Sequence, residues 1–300
     1  MVEGLSLAGM TETPIVCVLG QRAGPAIGLP TRTEQGELLF SLFAGHGEFP
    51  RAVLTPPTIG ACFDAAVKAF NLADKYQTPV LILTDQHLAS SYQTTDPFDL
   101  KKVQIDRGGL IESDEWRSGY RRHQFTESGV SPRAIPLPHG PLVVTDSDEH
   151  DEEGHMIEDA TIRSRMMDKR LRKIAGLHKE VTPPWLIERT EARAILIGWG
   201  STFGAIKEAA DLLEKEGTRA SILQLPQVWP FPTDAVTSAL KSGAKSFAIE
   251  NNATGQLAML IRAETGMSVD HSILKYDGRP FSPSFIAKEV QKEVAATWSK

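Results

Sequence analysis

Apolar and polar positions fall in blocks along this chain, and the blocks predict its elements. Residues 14–19, PIVCVL, are a continuous apolar run of strand length. That is the pattern of a strand covered on both faces in a parallel sheet. Residues 52–54 and 79–84 read the same way. Between them, residues 59–76 carry Phe63, Val67, Phe70 and Leu72 at helical spacing, and Thr58 is placed to cap the first turn. Residues 1–9 predict a short leading helix with Val2, Leu5 and Leu7 on it. This order argues a parallel sheet with crossover helices.

The periodicity stops from residue 90 to 141, where Pro132, Pro136, Pro138 and Pro141 interrupt the chain. So long a segment without regular elements is either functional or mobile, and it reads as an excursion packed on the domain face. A short strand is expected at 142–144. The acidic run 145–153 reads as a solvated loop or as an acidic N-terminal flank of a helix over 157–179. In that helix Ile162, Met166, Leu171, Ile174 and Leu177 recur, and the many Lys and Arg read as a solvent face. Pro183-Pro184 marks a boundary. Strands at 193–198, 220–225 and 246–250 then alternate with helices at 203–216, 233–241, 255–265 and 283–296, the last with Ser282 as its cap. The class is therefore α/β, with domains over 1–182, including an irregular excursion 90–156, and over 183–300.

Net charge is −6. That gives no electrostatic case for nucleic acid or an anionic membrane. No apolar run approaches the roughly 20 residues needed to span a bilayer. The start, MVEGLSLAGM, lacks the basic region of a signal peptide. The two cysteines, Cys17 and Cys62, cannot supply the four thiolates of an iron–sulfur cluster. A reducing, cytoplasmic location is the simplest account.

The candidate chemistry centres on residues 24–51. Arg32 lies in a polar run, Thr31 to Gln35, after a Gly- and Pro-rich lead. An arginine on such a loop offers a planar fork of donors that matches a carboxylate. Its bland alternative is a surface ion pair with Glu34 or Glu37. His46 stands between two glycines. Asp85 ends a predicted strand, as a helix cap or a site carboxylate. Glu149-His150-Asp151 reads as exposed. Gly198-Trp199-Gly200-Ser201 opens a helix after a strand but lacks the dinucleotide fingerprint, so a tight turn is preferred over a nicotinamide site. No GxSxG elbow or Walker lysine occurs.

The runs GLPTRTEQGELLF and AGHGEFPR (28–40 and 44–51), FNLADKYQTPVLILTDQHLA (70–89), SDEHDEEGH (147–155) and IGWGSTFGAIKEA (197–209) resemble the alpha subunit of 2-oxoacid:ferredoxin oxidoreductases, especially the 2-oxoglutarate type. The resemblance implies a partial thiamine-diphosphate-binding-like pyrimidine domain followed by a transketolase C-terminal-like domain. It implies oxidative decarboxylation of a 2-oxoacid with CoA to acyl-CoA, CO₂ and reduced ferredoxin. Thiamine diphosphate and Mg²⁺ would be shared with or held by a beta subunit, which would also carry the iron–sulfur cluster. No metal ligand is expected here.

Carried over residue by residue, Arg32 binds the substrate carboxylate in the decarboxylation step, with Thr31 and Gln35 as supporting donors. Asp151 lies on a loop linked to substrate choice, and His46 faces the cofactor side. The family's YPITP-type turn and activating glutamate are not found. The chain is therefore expected to be a fragment, inactive alone, with an unpaired sheet edge at 14–19 or its neighbour. The rival reading is a non-catalytic assembly module that keeps the fold and the subunit interface.

Overall fold

The continuous apolar runs become strands of two sheets, all inner except the first, which is an edge. The computed structural model describes residues 1–111, 119–137 and 140–298. In the first sheet β1 (Ile15–Gln21), β3 (Pro79–Asp85) and β2 (Ala52–Leu54) run parallel in that order. β7 (Gln227–Trp229), from the second half of the chain, pairs antiparallel with β2 at the far edge. β1 is the opposite edge. The second sheet has the order β4 (Trp185–Ile187), β6 (Ala220–Leu225), β5 (Ala194–Trp199), β8 (Lys245–Glu250) and β9 (His271–Leu274). There β4 is antiparallel and the rest are parallel.

Alternate residues of each strand face opposite layers. On β3, Leu81 and Leu83 enter a core shared with Ile195, Ile197, Trp199 and Leu223 of the second sheet. α7 (Thr233–Leu240) and α8 (Gln256–Thr265) complete that core. Val80 and Ile82 face the other way, onto α3 (Ile59–Tyr76) and Leu177 of α5 (Ala160–Lys179). α6 (Phe203–Lys215) and α9 (Pro283–Trp298) cover the second sheet's outer face through Ile206, Leu213, Ile286 and Val290. α1 (Val2–Met10), α2 (Leu38–Phe43) and α4 (Gln86–Ala89) are short. Among the described residues no helix is long and apolar enough to cross a membrane.

Thr58 caps α3 as its sequence position predicts, its side chain accepting from Ala61 N at 3.2 Å. Thr58→Ala is expected to lower stability by about 1 kcal/mol. Urea unfolding, with the midpoint shifted and the slope unchanged, checks this.

The inward stripe of α3 differs from the one expected. Ala69, Leu72, Ala73 and Tyr76 are buried, whereas Phe70 is exposed. Phe63 instead stacks on Phe98 of the excursion, with ring centroids 4.2 Å apart. Residues 142–144 form no strand, because no ladder partner reaches them. Residues 112–118 and 138–139 of the excursion, with its Pro138, lie outside the described residues. α5 begins at Ala160 rather than at 157, capped by Asp159.

The basic face of α5 corrects the solvent reading more sharply. Lys169, Arg170 and Lys173 are buried. Lys169 and Lys173 both pair with the fully buried Glu12, in the turn before β1. His123 Nδ1 lies 3.1 Å from the same carboxylate. Arg122 donates to the carbonyls of Thr11 and Glu12 and to Gln77 Oε1. The His123 ring lies 3.9 Å from that of His150, which is also buried. Glu149 accepts both terminal nitrogens of Arg170, at 3.0 and 2.7 Å. Burial would raise the Glu149 carboxyl, but Arg170 and Arg163 bring it down to about 2. Residues 149 and 150 are thus anchors of the excursion and not the exposed pair their composition suggests.

Candidate active site

Loops after parallel strands gather at one end of a sheet, and ligands bind there. After β1, residues 22–37 cross from the carboxyl end of the first sheet to that of the second. The crossing opens with a tight turn. Leu29 N donates to Ala23 O at 2.8 Å, and Arg32 N donates to Leu29 O at 3.0 Å. Gly28 has φ +49°, and a Cβ there would lie 1.9 Å from Ala23 O, so only glycine fits.

The turn leaves Ile27, Leu29, Thr31 and Arg32 exposed. Arg32 makes no ion pair and no side-chain hydrogen bond among the described residues, so the surface pairing with Glu34 or Glu37 does not form. The base beneath it is fixed. Thr33 Oγ1 donates to Asp85 Oδ1 at 3.1 Å, and Thr33 N donates to Gly278 O at 3.3 Å. The same Asp85 oxygen accepts from Leu88 N at 3.0 Å, so Asp85 caps α4 and holds the loop at once. Gln35 is buried between Trp199 and Asn251 of the second sheet. Arg32 is thus an unpaired cation on a rigid platform.

Two carboxyls stand near the platform. Burial pushes Glu34 up. Burial and then Glu34 push Glu37 up, and Glu37 Oε2 has no hydrogen-bond partner among the described residues. A cavity of about 230 Å³ opens alongside, between His87, Ser201, Thr202, Asn251 and Phe281. A larger groove of about 1300 Å³ runs between Pro184, Leu186 and Ser238, at the amino ends of β5 and β6. It lies away from Arg32, and we give it no part in the site.

The candidates named from sequence separate into two groups. Thr31 stands exposed beside Arg32 and can donate to the same ligand. Gln35 is instead fully buried, with its amide bonded to Trp199 O and Asn251 N inside the protein. His46 is not brought to Arg32. α2 carries the chain back to the amino ends of the strands, where His46 N donates to Ser6 and Pro50 O accepts from Thr78. Asp151 also lies near that end. Its loop continues from Thr145, which bonds His123 Nε2 at 3.0 Å, and its Oδ1 accepts from Glu153 N and His155 N. The length of β1, about 20 Å at ~3.3 Å per residue, separates the two ends. Asn251 and Asn252 were not anticipated. They follow Glu250 at a strand's carboxyl end, and that rule could have found them.

Residues 1–169 match the family described as pyruvate flavodoxin/ferredoxin oxidoreductase, thiamine diphosphate-binding. The chain belongs to this family. Residues 192–286 match pyruvate:ferredoxin oxidoreductase core domain II. The chain is 41% identical over 286 residues to 2-oxoacid:ferredoxin oxidoreductase 1, subunit alpha, of Sulfurisphaera tokodaii, covering 94% of this chain and 44% of that subunit. It is 28% identical over 302 residues to the 2-oxoglutarate synthase subunit KorA of Methanothermobacter thermautotrophicus, covering 97% and 77%. Its structure is similar to that of 2-oxoglutarate:ferredoxin oxidoreductase from Magnetococcus marinus, solved with 2-oxoglutarate, coenzyme A and succinyl-CoA bound. The TM-score is 0.89 at 32% identity, over 98% of this chain and 51% of that one. The chain thus spans about half the length of several relatives it matches.

The residues on the Arg32 turn fit the aromatic end of thiamine diphosphate. Among the described residues there is no group of three or more His, Cys, Asp or Glu that could hold a metal ion. The exposed apolar edge of Ile27 and Leu29, on the turn that carries Arg32, suits an aromatic ring.

Proposed function

We propose that this chain is the part of a 2-oxoacid:ferredoxin oxidoreductase alpha subunit that recognises the substrate carboxylate, and that the substrate is 2-oxoglutarate. The observation that carries the reading is Arg32, exposed and unpaired on a loop pinned at Thr33 and Gln35. The complete enzyme converts a 2-oxoacid, CoA and oxidised ferredoxin to acyl-CoA, CO₂ and reduced ferredoxin. Thiamine diphosphate, when bound, supplies the carbanion chemistry. Arg32 and Thr31 hold the carboxylate until it leaves as CO₂. Ile27 and Leu29 exclude water around it, which strengthens the charge-assisted bonds.

Mg²⁺, the diphosphate site and an iron–sulfur cluster belong to a beta subunit on this reading. The two domains meet at Pro183-Pro184, and the enzyme is cytoplasmic. On this reading residues 1–300 are inactive without the beta subunit. The Magnetococcus complex and the KorA relatives support the choice of 2-oxoglutarate.

The test is CoA-dependent ferredoxin reduction by the full-length subunit assembled with its beta partner. We expect kcat/KM for 2-oxoglutarate to exceed that for pyruvate by about ten-fold or more, as expected where a site's polar groups would be left unpaired by the smaller acid. An assembled complex that turns over no 2-oxoacid would favour the assembly-module reading.

A further inference from the structure

The parallel part of the second sheet has the order β6-β5-β8-β9. From β5 the chain goes out to β6 on one side, then returns to β8 on the other. Its switch point is therefore the gap between β5 and β8. In open α/β sheets the crevice at that point is where ligands bind.

Here the crevice is filled by Gln35 from the other sheet's loop. Gln35 Nε2 donates to Trp199 O, at the end of β5, at 2.9 Å. Gln35 Oε1 accepts from Asn251 N, just beyond β8, at 3.0 Å. Its backbone N donates to Asn251 O at 2.6 Å, and its backbone O accepts from Asn252 Nδ2 at 3.2 Å. Gly200, at φ +55°, makes room, since a Cβ there would stand 3.0 Å from Nε2.

We infer that Gln35 is an internal ligand of the second domain's switch-point crevice, and that this docking sets the pose of Arg32. Gln35 is then a positioning residue rather than a substrate contact. The inference rests on the reading of Arg32 as the carboxylate clamp.

The charge around the crevice explains why an amide is used. Asp85 approaches from the first sheet, its Oδ2 3.9 Å from the same hypothetical Gly200 Cβ. Glu250, on β8, is buried and engaged by Asn252 Nδ2, Leu257 N and Ala258 N. Glu34 and Glu37 flank Gln35 on its own loop. These four are acidic, while Arg22, which acts on Glu37, and Arg32 lie on the same loop and offset part of that charge. A carboxylate in the crevice would meet like charge and the Trp199 carbonyl. A neutral amide offers one donor and one acceptor where they are needed.

Gln35→Glu tests this, because it keeps the shape and replaces the Nε2 donor by oxygen. Ionised, the new carboxyl repels Trp199 O. Protonated, its O–H donates to Trp199 O and restores the link. The acidic neighbours raise the pH at which that proton is taken up. In the assembled enzyme, Gln35→Glu should raise KM for the 2-oxoacid roughly ten-fold at neutral pH and recover as pH is lowered, a loss of the size expected for one or two buried hydrogen bonds. Gln35→Ala should raise KM similarly at every pH. Gln256→Ala cuts a separate link between the domains, to Gly36 O and Leu39 N, and should leave KM within about two-fold.

The melting temperature of each purified chain gives a readout independent of turnover. The gap between wild type and Gln35→Glu should close as pH falls. Wild-type KM in both Gln35 variants, alongside a disabled Arg32→Ala, would overturn the coupling and leave the clamp standing. An unaffected Arg32→Ala would instead sink the clamp and the coupling together. A Gln35→Glu melting gap that does not respond to pH would overturn the docking itself.

Discussion

Arg32→Ala is expected to lower kcat/KM for the 2-oxoacid by about 100- to 1,000-fold in the assembled enzyme. Losing a preorganised charged donor in a water-excluded site costs about 2.7–4 kcal/mol of transition-state stabilisation. Folding should not be touched. Arg32 is exposed and bonds no other side chain among the described residues, so the change in stability should stay within about 0.5 kcal/mol. Arg32→Lys keeps the charge and loses the fork, so its activity should fall between the two. The measurement is steady-state ferredoxin reduction over a range of 2-oxoacid concentrations. A loss below about three-fold would mean that the carboxylate is held elsewhere, because a bidentate ionic contact cannot be worth so little in a dry site.

The effect depends on the platform as much as on the guanidinium. A long side chain on a mobile loop would give up much of its binding energy to ordering. Here Thr33 is tied to Asp85 and Gln35 to Trp199, so the loop is ordered before any ligand arrives. That arrangement was only half legible in the sequence. Arg32 could be read because its Gly- and Pro-rich lead, placed after an apolar strand, is a local signal. The burial of Gln35 could not, because its partners lie 164 and 216 positions away.

The same distinction runs through the fold. The strands that became β1, β3, β5, β6 and β8 are continuous apolar runs, and such runs announce themselves; all but the edge strand β1 are covered on both faces. β4, β7 and β9 were not anticipated. They have three or four residues each, and tertiary pairing decides them. His46 was placed on the wrong side because the apolar run before it forms α2, which reverses the chain to the other end of the sheet. The cations of α5 were read as solvated because their anionic partner, Glu12, stands 157 positions from Lys169.

Glu12→Gln is the substitution expected to cost most in stability, about 3–5 kcal/mol at neutral pH. It leaves the shape of the side chain and removes the negative charge that two buried ammonium groups share. Burial alone would raise the Glu12 carboxyl, but Lys173, Lys169 and the His123 hydrogen bond outweigh burial and hold it well below the usual range. Its contribution is therefore present above the unfolded carboxylate value and is lost as pH falls through the lower folded value. His123 acts in the same direction. Burial holds it down to about 3 against an ordinary 6.5, despite its bond to Glu12. Between those values the unfolded chain takes up a proton that the folded chain refuses, so stability falls with acid there too. In the variant only the histidine part of that acid response remains. Urea unfolding across a pH series should show a wide gap between wild type and Glu12→Gln at neutral pH, narrowing toward acid. A gap below about 1 kcal/mol at neutral pH would mean that Lys169 and Lys173 find water once Glu12 is gone. The excursion would then be held to α5 by packing and by Glu149–Arg170 rather than by the buried glutamate.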